Sequence, residues 1–282
     1  MHDIRGAVAV VTGAASGIGR ALAIQLASLG AELALADVNP AGLDETRKLL
    51  GSAKAKAYTV DVGQAAAVEG FAASVQRDFG RASLLINNAG VALFGNFVEL
   101  TFEEMEWLIR INFWGVVHGC KFFLPLLERE PEAHIVNISS VFGLFGPPGQ
   151  VAYCSSKYAV RGFSECLREE LRPTGVRVTC VYPAGIATRI AKDARMGAAT
   201  RSTDFEQVQE RARKALRIPP EKAASVIIRG VLHNKDRVLI GKDAYWIDLL
   251  QRLFPTQASA MLSGWVQKQI ASEKPDPTSA SR

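Results

Sequence analysis

Short apolar runs alternate along the chain with longer stretches in which apolar residues recur at helical spacing. The apolar runs have the length of strands, and they lie at 7–11, 31–37, 56–62, 83–90, 134–140, 176–185 and 236–241. The helical stretches lie between them, at about 18–29, 41–50, 65–79, 102–130, 152–172 and 220–233. This regular alternation predicts an α/β fold, a doubly wound parallel sheet of about seven strands with helices on both faces.

The domain organisation follows from the continuity of this pattern. No linker rich in Pro, Gly or Ser interrupts it and no repeat is visible, so we expect a single domain over residues 1–282. A C-terminal helical extension, residues 243–271, carries apolar residues at helical spacing past the last strand. We interpret that extension as packing over a cleft or at a subunit interface rather than as a helix on a membrane surface.

Composition narrows the class of protein. With 48% hydrophobic residues, the chain has the composition of a globular protein with a sizeable core. The four Cys and four His show no metal-ligand spacing, so we expect reduced thiols, a cytoplasmic location and no metal site. The net charge of +5 comes without a nucleic-acid motif. The apolar run at 113–127 is too short and too polar for a membrane span, and the first residues do not form a signal peptide.

A glycine-rich turn joins the first strand to the first helix. Gly13, Gly17 and Gly19 stand in the stretch TGAASGIG, where backbone amides and a helix N-terminus can approach a phosphate. The spacing GxxxGxG differs from the GxGxxG of many dinucleotide-binding folds, and a glycine-rich turn without a ligand is the alternative. Its place at the opening of the first helix of a parallel sheet favours pyrophosphate binding.

Asp37 ends the second strand, 24 residues after Gly13. A carboxylate there can accept hydrogen bonds from both hydroxyls of an adenosine ribose and would repel a 2′-phosphate, so we expect NAD rather than NADP. Arg20 is the only nearby cation. The alternative is that Asp37 only caps the turn that follows.

The stretch VAYCSSKYAV places Tyr153 four residues before Lys157, on the same face of a predicted helix. Because this spacing also arises by chance, the pair alone identifies no site. A free phenol has a pKa of about 10, and a nearby cation favours its phenolate form. We therefore interpret Lys157 as lowering the pKa of Tyr153, which makes Tyr153 a candidate general acid/base.

Taken in order, the motifs of the chain resemble those of the short-chain dehydrogenase/reductase family, in its single-domain branch with a Rossmann-like fold. The resemblance covers about residues 7–190 by motif and 191–241 by element order. The matching motifs are TGxxxGxG at 12–19, Asp61 followed by Val62, NNAG at 87–90, Asn112, Ser140, YxxxK at 153–157, and Pro183 with Thr188. Ala184 replaces the glycine that usually follows the proline, and Gly185 comes next.

The resemblance implies hydride transfer between NAD and an alcohol or carbonyl compound. It implies Tyr153 as acid/base, Ser140 as the hydrogen-bond partner of the substrate oxygen, Lys157 as a ligand of the nicotinamide ribose, and Asn112 as the holder of a water. Taken singly, Ser140 and Asn112 could also serve only local structure. The cofactor-binding residues so implied are Gly13, Ser16, Gly17, Ile18, Gly19, Asp37, Asp61, Val62, Asn88, Ala89, Gly90, Tyr153, Lys157, Pro183, Ile186 and Thr188.

The family likeness also bears on the lid and on assembly. The basic region 189–217 resembles the mobile substrate lid of the family. Family members are usually homodimers or homotetramers that associate through the two long helices, here 102–130 and 152–172, so we expect a homo-oligomer.

The substrate side rests on fewer residues. Leu93, Phe94, Phe142 and Phe145 border the expected nicotinamide position and predict a pocket for a moderately bulky, apolar secondary alcohol or ketone, although several of them could be ordinary core. Two alternatives stay open. One is an NADP-linked carbonyl reductase for polar or anionic substrates, and the other is a non-catalytic dinucleotide-binding regulator.

Overall fold

The computed structural model describes residues 1–199, 216–258, 260–262 and 264. The strands among them are β1 (Val8–Thr12), β2 (Glu32–Asp37), β3 (Ala55–Thr59), β4 (Leu84–Asn87), β5 (Leu93–Phe94), β6 (Ala133–Ile138), β7 (Val176–Pro183), β8 (Arg195–Met196) and β9 (Arg237–Ile240). Seven of these form one parallel sheet in the order β3-β2-β1-β4-β6-β7-β9. The predicted seven-stranded, Rossmann-like sheet is therefore confirmed.

Helices cover both faces of this sheet. They are α1 (Gly17–Ser28), α2 (Pro40–Leu49), α3 (Ala65–Phe79), α4 (Phe102–Ile109), α5 (Gly115–Leu127), α6 (Val151–Glu170), α7 (Pro220–Leu232) and α8 (Lys242–Leu253). One core cluster joins the sheet to α1 and α7, and a second joins its other face to α3, α5 and α6. The helical layers thus leave the carboxyl ends of the strands as the edge where a ligand can enter.

Alternation along β1 shows why these residues build a two-faced sheet. Ala9 and Val11 pack in the first core cluster, whereas Val8 and Val10 pack in the second. Successive side chains of a strand point to opposite faces, so an apolar run with helices on both sides is buried throughout. The outermost strand, β3, is accordingly more polar and more exposed.

The helix predicted at 102–130 contains a break in its hydrogen-bonding pattern. Thr101 and Glu104 form a capping box that starts α4, and a π-helical turn at Arg110–Trp114 then leads into α5. A π turn carries one more residue than an α turn, and such turns are frequent at functional sites. Asn112 lies in this turn.

Two short strands that the apolar pattern does not predict lie above the main sheet. β5, which follows β4, pairs in parallel with β8 and so ties the start of the predicted lid region to the loop after β4. Of the predicted lid at 189–217, residues 200–215 lie outside the described residues, as do 259, 263 and 265–271 of the predicted extension. In the part of the chain that is described, no helix has the length and apolar character needed to cross a bilayer.

Candidate active site

The glycine-rich turn lies at the carboxyl end of β1, where the chain enters α1. Gly13 and Gly17 have φ values of 67° and 54°, in the region that favours glycine. A Cβ atom on Gly13 would lie 2.8 Å from the Cα atom of Ala89, and one on Gly19 would lie 2.1 Å from the carbonyl oxygen of Gly13. Because neighbouring protein atoms already lie at these positions, the two glycines let the turn pack closely on itself and on the loop after β4. The place of the turn at the N-terminus of α1 fits a dinucleotide pyrophosphate.

Thr12 and Asn88 hold this turn against the loop that follows β4. The Oγ1 atom of Thr12 accepts hydrogen bonds from the backbone N–H groups of Asn88 (3.0 Å) and Ala89 (3.1 Å). The Nδ2 atom of Asn88 donates to the carbonyl oxygens of Thr12 (2.9 Å) and Gly13 (3.2 Å). Thr12 is absent from the predicted site residues. Its position at the end of β1, within the glycine motif, is the sequence signal for this role.

Asp37 and Arg20 lie beside the turn and have different partners. The carboxylate of Asp37, at the end of β2, accepts hydrogen bonds from the backbone N–H groups of Ala15 and Asn39, both at 3.0 Å. Arg20 donates to the carboxylate of Glu45 at 2.8 Å and to the carbonyl oxygen of Ala15. The guanidinium is thus engaged by α2 and the turn, while Asp37 stays partly exposed.

Asp61 and Val62 follow β3 at the same edge of the sheet. The carboxylate of Asp61 accepts a hydrogen bond from the backbone N–H of Gly63 at 2.9 Å. Val62 is buried, and its carbonyl oxygen lies 2.9 Å from Nδ1 of His118, so this nitrogen of the ring is the donor. The contact with His118 fixes the loop after β3 against α5.

The π turn places Asn112 between the loop after β4 and helix α6. Its Oδ1 atom accepts a hydrogen bond from the N–H of Val91 (2.8 Å), and its Nδ2 atom donates to the carbonyl oxygen of Val91 (3.0 Å) and to Oγ of Ser156 (3.2 Å). Ser156 donates in turn to the carbonyl oxygen of Tyr153 at 2.7 Å. The motifs do not single out Ser156, although it directly precedes Lys157 and faces the interior of the protein.

Tyr153 and Lys157 share one face of α6. The Nζ atom of Lys157 lies 5.6 Å from the ring centre of Tyr153 and donates to the carbonyl oxygen of Ile138 at 3.1 Å. Ser140 lies just beyond β6, and its Oγ atom accepts a hydrogen bond from the N–H of Phe142 at 3.2 Å. The three side chains therefore meet where β6 ends and α6 begins.

The neighbouring Ser139 has a different role. Its hydroxyl is buried and donates to the carbonyl oxygen of Lys157 at 2.8 Å. That bond uses the proton of Ser139, whereas the hydroxyl of Ser140 is hydrogen-bonded to Tyr153, so the structure separates two adjacent serines that sequence distinguishes only by motif spacing.

Burial governs the electrostatics of the Tyr–Lys pair. Burial raises the pKa of Tyr153 to about 12, and the hydrogen bond with Ser140 opposes this shift. Burial also lowers the pKa of Lys157 to about 8. Loss of solvent disfavours both charged forms and sets the direction of both shifts, whereas an effect of Lys157 on the pKa of Tyr153 beside the oxidised nicotinamide stays a prediction.

The segment 183–188 closes the cofactor edge from the other side. Gly185 has a φ of 60°, whereas Ala184 lies outside the positive-φ region, so alanine in place of the motif glycine causes no strain. Thr188 packs against the glycine turn, since a Cβ atom on Gly17 would lie 3.0 Å from its Cγ2 atom. Of the other predicted cofactor-binding residues, Ile186 is buried. Those that are partly exposed are Ser16, Ile18, Asn88, Ala89, Gly90 and Pro183.

The four predicted pocket residues divide into two pairs. Leu93 and Phe145 are buried in separate core clusters, with 1% and 2% of their surface exposed. Phe94 and Phe142 are partly exposed. The ring of Phe142 lies edge-on to that of Tyr153, with 6.1 Å between the ring centres. Phe142 is thus partly exposed beside Tyr153 and packs against Phe145, and a substrate-binding role for the four residues stays a prediction.

Arg195 in β8 adds a contact that no motif indicates. Its guanidinium stacks over the ring of Trp107 in α4 at 3.8 Å from the ring centre, a cation–π geometry. Trp107 packs against the cluster of Leu93, Leu108 and Ala152, which also contacts Tyr153. The contact fastens the first part of the lid region beside the Tyr–Lys pair. Elsewhere in the described chain, no group of three or more His, Cys, Asp or Glu could hold a metal ion.

A doubly wound sheet with a glycine turn at its first helix and a Tyr–Lys pair at the same edge is typical of nucleotide-dependent oxidoreductases. The family model for short chain dehydrogenases matches residues 7–199. SadH of Mycobacterium tuberculosis, named as an oxidoreductase, is 42% identical over 272 residues, which covers 95% of this chain and 98% of SadH. Epidermal retinol dehydrogenase 2 of Mus musculus is 33% identical over 270 residues, which covers 94% of this chain and 83% of that protein.

Solved structures agree with this assignment. A short-chain dehydrogenase/reductase from Burkholderia phymatum in complex with NAD has a TM-score of 0.83 at 31% identity, and the match covers 89% of this chain and 95% of that one. A metagenomic short-chain oxidoreductase in complex with NADP has a TM-score of 0.69 at 30% identity, covering 84% and 97%. The chain belongs to the short-chain dehydrogenase/reductase family, a family of NAD(P)-dependent oxidoreductases.

Proposed function

We propose that the protein transfers a hydride between NAD and a moderately bulky, apolar secondary alcohol or ketone. The observation that carries the proposal is the meeting of Ser140, Tyr153 and Lys157 beside the glycine turn at one edge of the sheet. Proton transfer to or from the substrate oxygen must accompany hydride transfer, and this edge brings a proton donor next to a dinucleotide cradle.

Each catalytic residue has a role that its contacts support. The bound nicotinamide supplies or accepts the hydride. Tyr153 is the general acid/base that exchanges its phenol proton with the substrate oxygen. Ser140, which is hydrogen-bonded to Tyr153, donates its hydroxyl proton to the substrate oxygen when substrate is bound, and Lys157 binds the nicotinamide ribose. Asn112 fixes the loop at Val91 and, through Ser156, the first turn of α6.

The choice of NAD rests on the contrast between Asp37 and Arg20. Asp37 presents a carboxylate where an adenosine ribose would lie, and it would repel a 2′-phosphate. Arg20 is the cation that could bind such a phosphate, but its guanidinium is held by Glu45 and by the carbonyl oxygen of Ala15. Binding NADP would require Arg20 to leave both partners.

The substrate class rests on the aromatic side chains around Tyr153. Phe142 stands edge-on to the Tyr153 ring and is itself packed against Phe145, with 5.4 Å between those ring centres. A pocket with such walls favours apolar substituents on the carbinol carbon. The similarity to a protein named as a retinol dehydrogenase points in the same direction.

Assembly and location remain parts of the proposal. We expect a homodimer or homotetramer formed through α4, α5 and α6. The exposed Trp114, at the end of the π turn, stacks with His118 of α5 and provides an apolar surface for such contact. All four cysteines are free thiols, in keeping with a cytoplasmic protein.

The test is the initial rate of reduced-cofactor formation with NAD and with NADP, across primary, aliphatic secondary, aromatic secondary and small polar alcohols. We expect turnover with NAD and a graded preference for bulky apolar secondary alcohols. A strong preference for NADP would contradict the role given to Asp37. Faster turnover of small polar diols would contradict the pocket assignment, and NAD binding without turnover of any alcohol or ketone would indicate a non-catalytic protein.

A further inference from the structure

Lys157 is attached at two points to the end of β6. Its Nζ atom donates a hydrogen bond to the carbonyl oxygen of Ile138, the last residue of that strand, at 3.1 Å. Its backbone carbonyl oxygen accepts a hydrogen bond from Oγ of Ser139, the next residue, at 2.8 Å. Ser139 and Lys157 are only 2% and 4% exposed. Two consecutive residues at the strand end therefore hold both the side chain and the main chain of Lys157.

The hydrogen bond from Ser139 is not one that helix α6 needs for its own formation. In a regular helix the carbonyl oxygen of residue 157 already accepts from the N–H group four residues later, and α6 continues to Glu170. A carbonyl oxygen has a second lone pair, which the hydroxyl of Ser139 uses. The bond thus joins two elements of the fold, the end of β6 and the second turn of α6.

Gly143 closes the space around this hydrogen bond. A Cβ atom on Gly143 would lie 2.4 Å from Oγ of Ser139 and 2.8 Å from the carbonyl oxygen of Lys157. The loop after β6 therefore passes directly over the bond, and the N–H of Gly143 donates to the carbonyl oxygen of Ser140 at 2.9 Å to close that turn. Enclosed by protein in this way, a hydrogen bond is electrostatically stronger than it would be in water.

The bond also lies between the groups that must meet for the reaction. Ser140 directly follows Ser139, and its hydroxyl is hydrogen-bonded to the phenol of Tyr153. Tyr153 lies one helical turn before Lys157 on α6. The distance between the strand end and α6 therefore sets how Ser140 meets the Tyr–Lys pair. A displacement of about 1 Å between reacting groups can lower a rate by about 10²-fold.

Ser164 provides a comparison within the same helix, because its hydroxyl has a local role. It is 0% exposed and lies about two turns beyond Lys157. Its hydroxyl donates to the carbonyl oxygen of Val160, one turn earlier in α6, at 2.7 Å and accepts from Nδ2 of Asn137 at 3.0 Å. The two serines are similarly buried, but the hydroxyl of Ser139 bonds to Lys157 itself.

We propose that Ser139 is a positioning residue for hydride transfer, because its hydroxyl holds the main chain of Lys157 at the distance from Ser140 that the reaction needs. Ser139 touches neither substrate nor cofactor and acts through Lys157. The inference rests on the proposed function, which gives Ser140, Tyr153 and Lys157 their roles.

The test compares Ser139→Ala with Ser164→Ala, since each variant removes one buried hydroxyl from the same region. In Ser139→Ala we expect kcat to fall by about tenfold or more with little change in KM for the alcohol, because the reacting groups move relative to one another. The pH profile of kcat should shift, and the Kd for NADH, measured by fluorescence titration, should rise by about threefold or more, since Lys157 moves with its main chain. Ser164→Ala should lower the melting temperature by as much and leave kcat, the pH profile and this Kd near wild type.

A second variant, Ser139→Cys, tests the inference if Ser139→Ala does not fold. A thiol is a weak donor, so kcat should fall and its pH profile should shift in this variant too. A wild-type kcat and pH profile in whichever of the two variants folds would overturn the inference. An equal fall of kcat in Ser164→Ala would also overturn it, because the effect would then come from the stability of α6.

The NADH titration separates this inference from the proposed function. A wild-type protein that turns over no alcohol or ketone would contradict the proposed function. The Kd for NADH would still test Ser139 in that case, because it depends on the position of Lys157 and not on turnover. A Kd that rises in Ser139→Ala and not in Ser164→Ala would support the positioning of Lys157, and an unchanged Kd in both would overturn it.

Discussion

The two ends of the same parallel strands bury polar groups in different ways. At the amino ends, the Met1 ammonium donates to Oδ1 of Asn234, and Nε2 of His134 lies 2.7 Å from Oγ1 of Thr179, which donates to a backbone carbonyl. At the carboxyl ends, Lys157 donates to the carbonyl oxygen of Ile138, and the hydroxyl of Ser140 is hydrogen-bonded to the phenol of Tyr153.

The comparison shows what separates a functional cluster from a structural one. His134 and Lys157 are both buried bases whose pKa values are lowered by burial, to about 3 and about 8 respectively. Burial and a shifted pKa are therefore common to both ends. The carboxyl end differs because its groups lie at the edge of the sheet where the glycine turn enters α1, whereas the groups at the amino end bind one another and a backbone carbonyl. Changes at the carboxyl end should alter kinetics, and changes at the amino end should alter stability.

The largest expected effect is that of Tyr153→Phe at the carboxyl end. Loss of the phenol proton should lower kcat by roughly 10²- to 10⁴-fold, the usual contribution of a general acid/base. NAD affinity, measured by fluorescence titration, and the melting temperature should stay near wild type. Substantial turnover in this variant would remove Tyr153 from the acid/base role.

At the amino end, His134 should make stability depend on pH. Its pKa of about 3 in the folded protein lies below the ordinary value of 6.5, because of burial and of the nearby N-terminal ammonium and Arg177. Above pH 6.5 the ring is neutral in the folded and in the unfolded protein, and its burial costs no proton. As the pH falls from 6.5 towards 3, the unfolded protein binds a proton that the folded protein does not, so the free energy of unfolding falls by about 1.4 kcal/mol per pH unit. Urea unfolding at several pH values should show a smaller slope in His134→Gln, while kcat at neutral pH stays unchanged. An equal slope in both proteins would mean that His134 is not the titrating group.

A smaller effect is expected from Asp37→Ser, which tests cofactor choice. Catalytic efficiency with NAD should fall by about tenfold because a ribose hydrogen-bond acceptor is lost, and efficiency with NADP should rise. Adding Glu45→Gln should release Arg20 and raise the NADP rate further. If Glu45→Gln has no effect on NADP kinetics in that background, Arg20 is not restrained in the way its contacts indicate.

The smallest expected effect is that of Asn234→Ala. Asn234 has a φ of 49°, where a non-glycine residue is strained, and its side chain accepts from the Met1 ammonium. The variant should lose about 1–2 kcal/mol of unfolding free energy without any change in kinetic constants. Asn234→Gly keeps the backbone conformation accessible and should be less destabilised. A kinetic defect in either variant would break the division between the two ends.

Sequence reasoning succeeds where periodicity and spacing carry the information. The number of strands, their parallel direction and the glycine turn follow from apolar runs and from residues whose role depends on the backbone. Contacts that depend on side-chain packing do not follow. The hydrogen bond between Ser156 and Asn112 joins residues 44 positions apart. Arg195, which contacts Trp107, lies in β8, and β8 and its partner β5 are too short to give a recognisable apolar pattern.

The pKa of Tyr153 illustrates a second limit. The four-residue spacing correctly places Lys157 on the same face of the helix, but it contains no information on how much water surrounds either group. Desolvation is the largest influence on both pKa values, and it raises that of the phenol. In the same way, the sequence shows Arg20 near Asp37 but cannot show that Glu45 holds it.

The π turn at Arg110–Trp114 has a consequence for altering the chain length of this protein. Such a turn takes up one residue more than an α turn over nearly the same rotation, so α4 and α5 keep their faces although the sequence pattern shifts by one residue. Deleting one residue there would allow a regular helix to form. It would also remove the widened turn that presents Asn112, which could no longer reach both Val91 and Ser156. The extra residue therefore links the length of this helix to the alignment of α6, and one-residue deletions should be tolerated at loop tips such as Gly51 but not here.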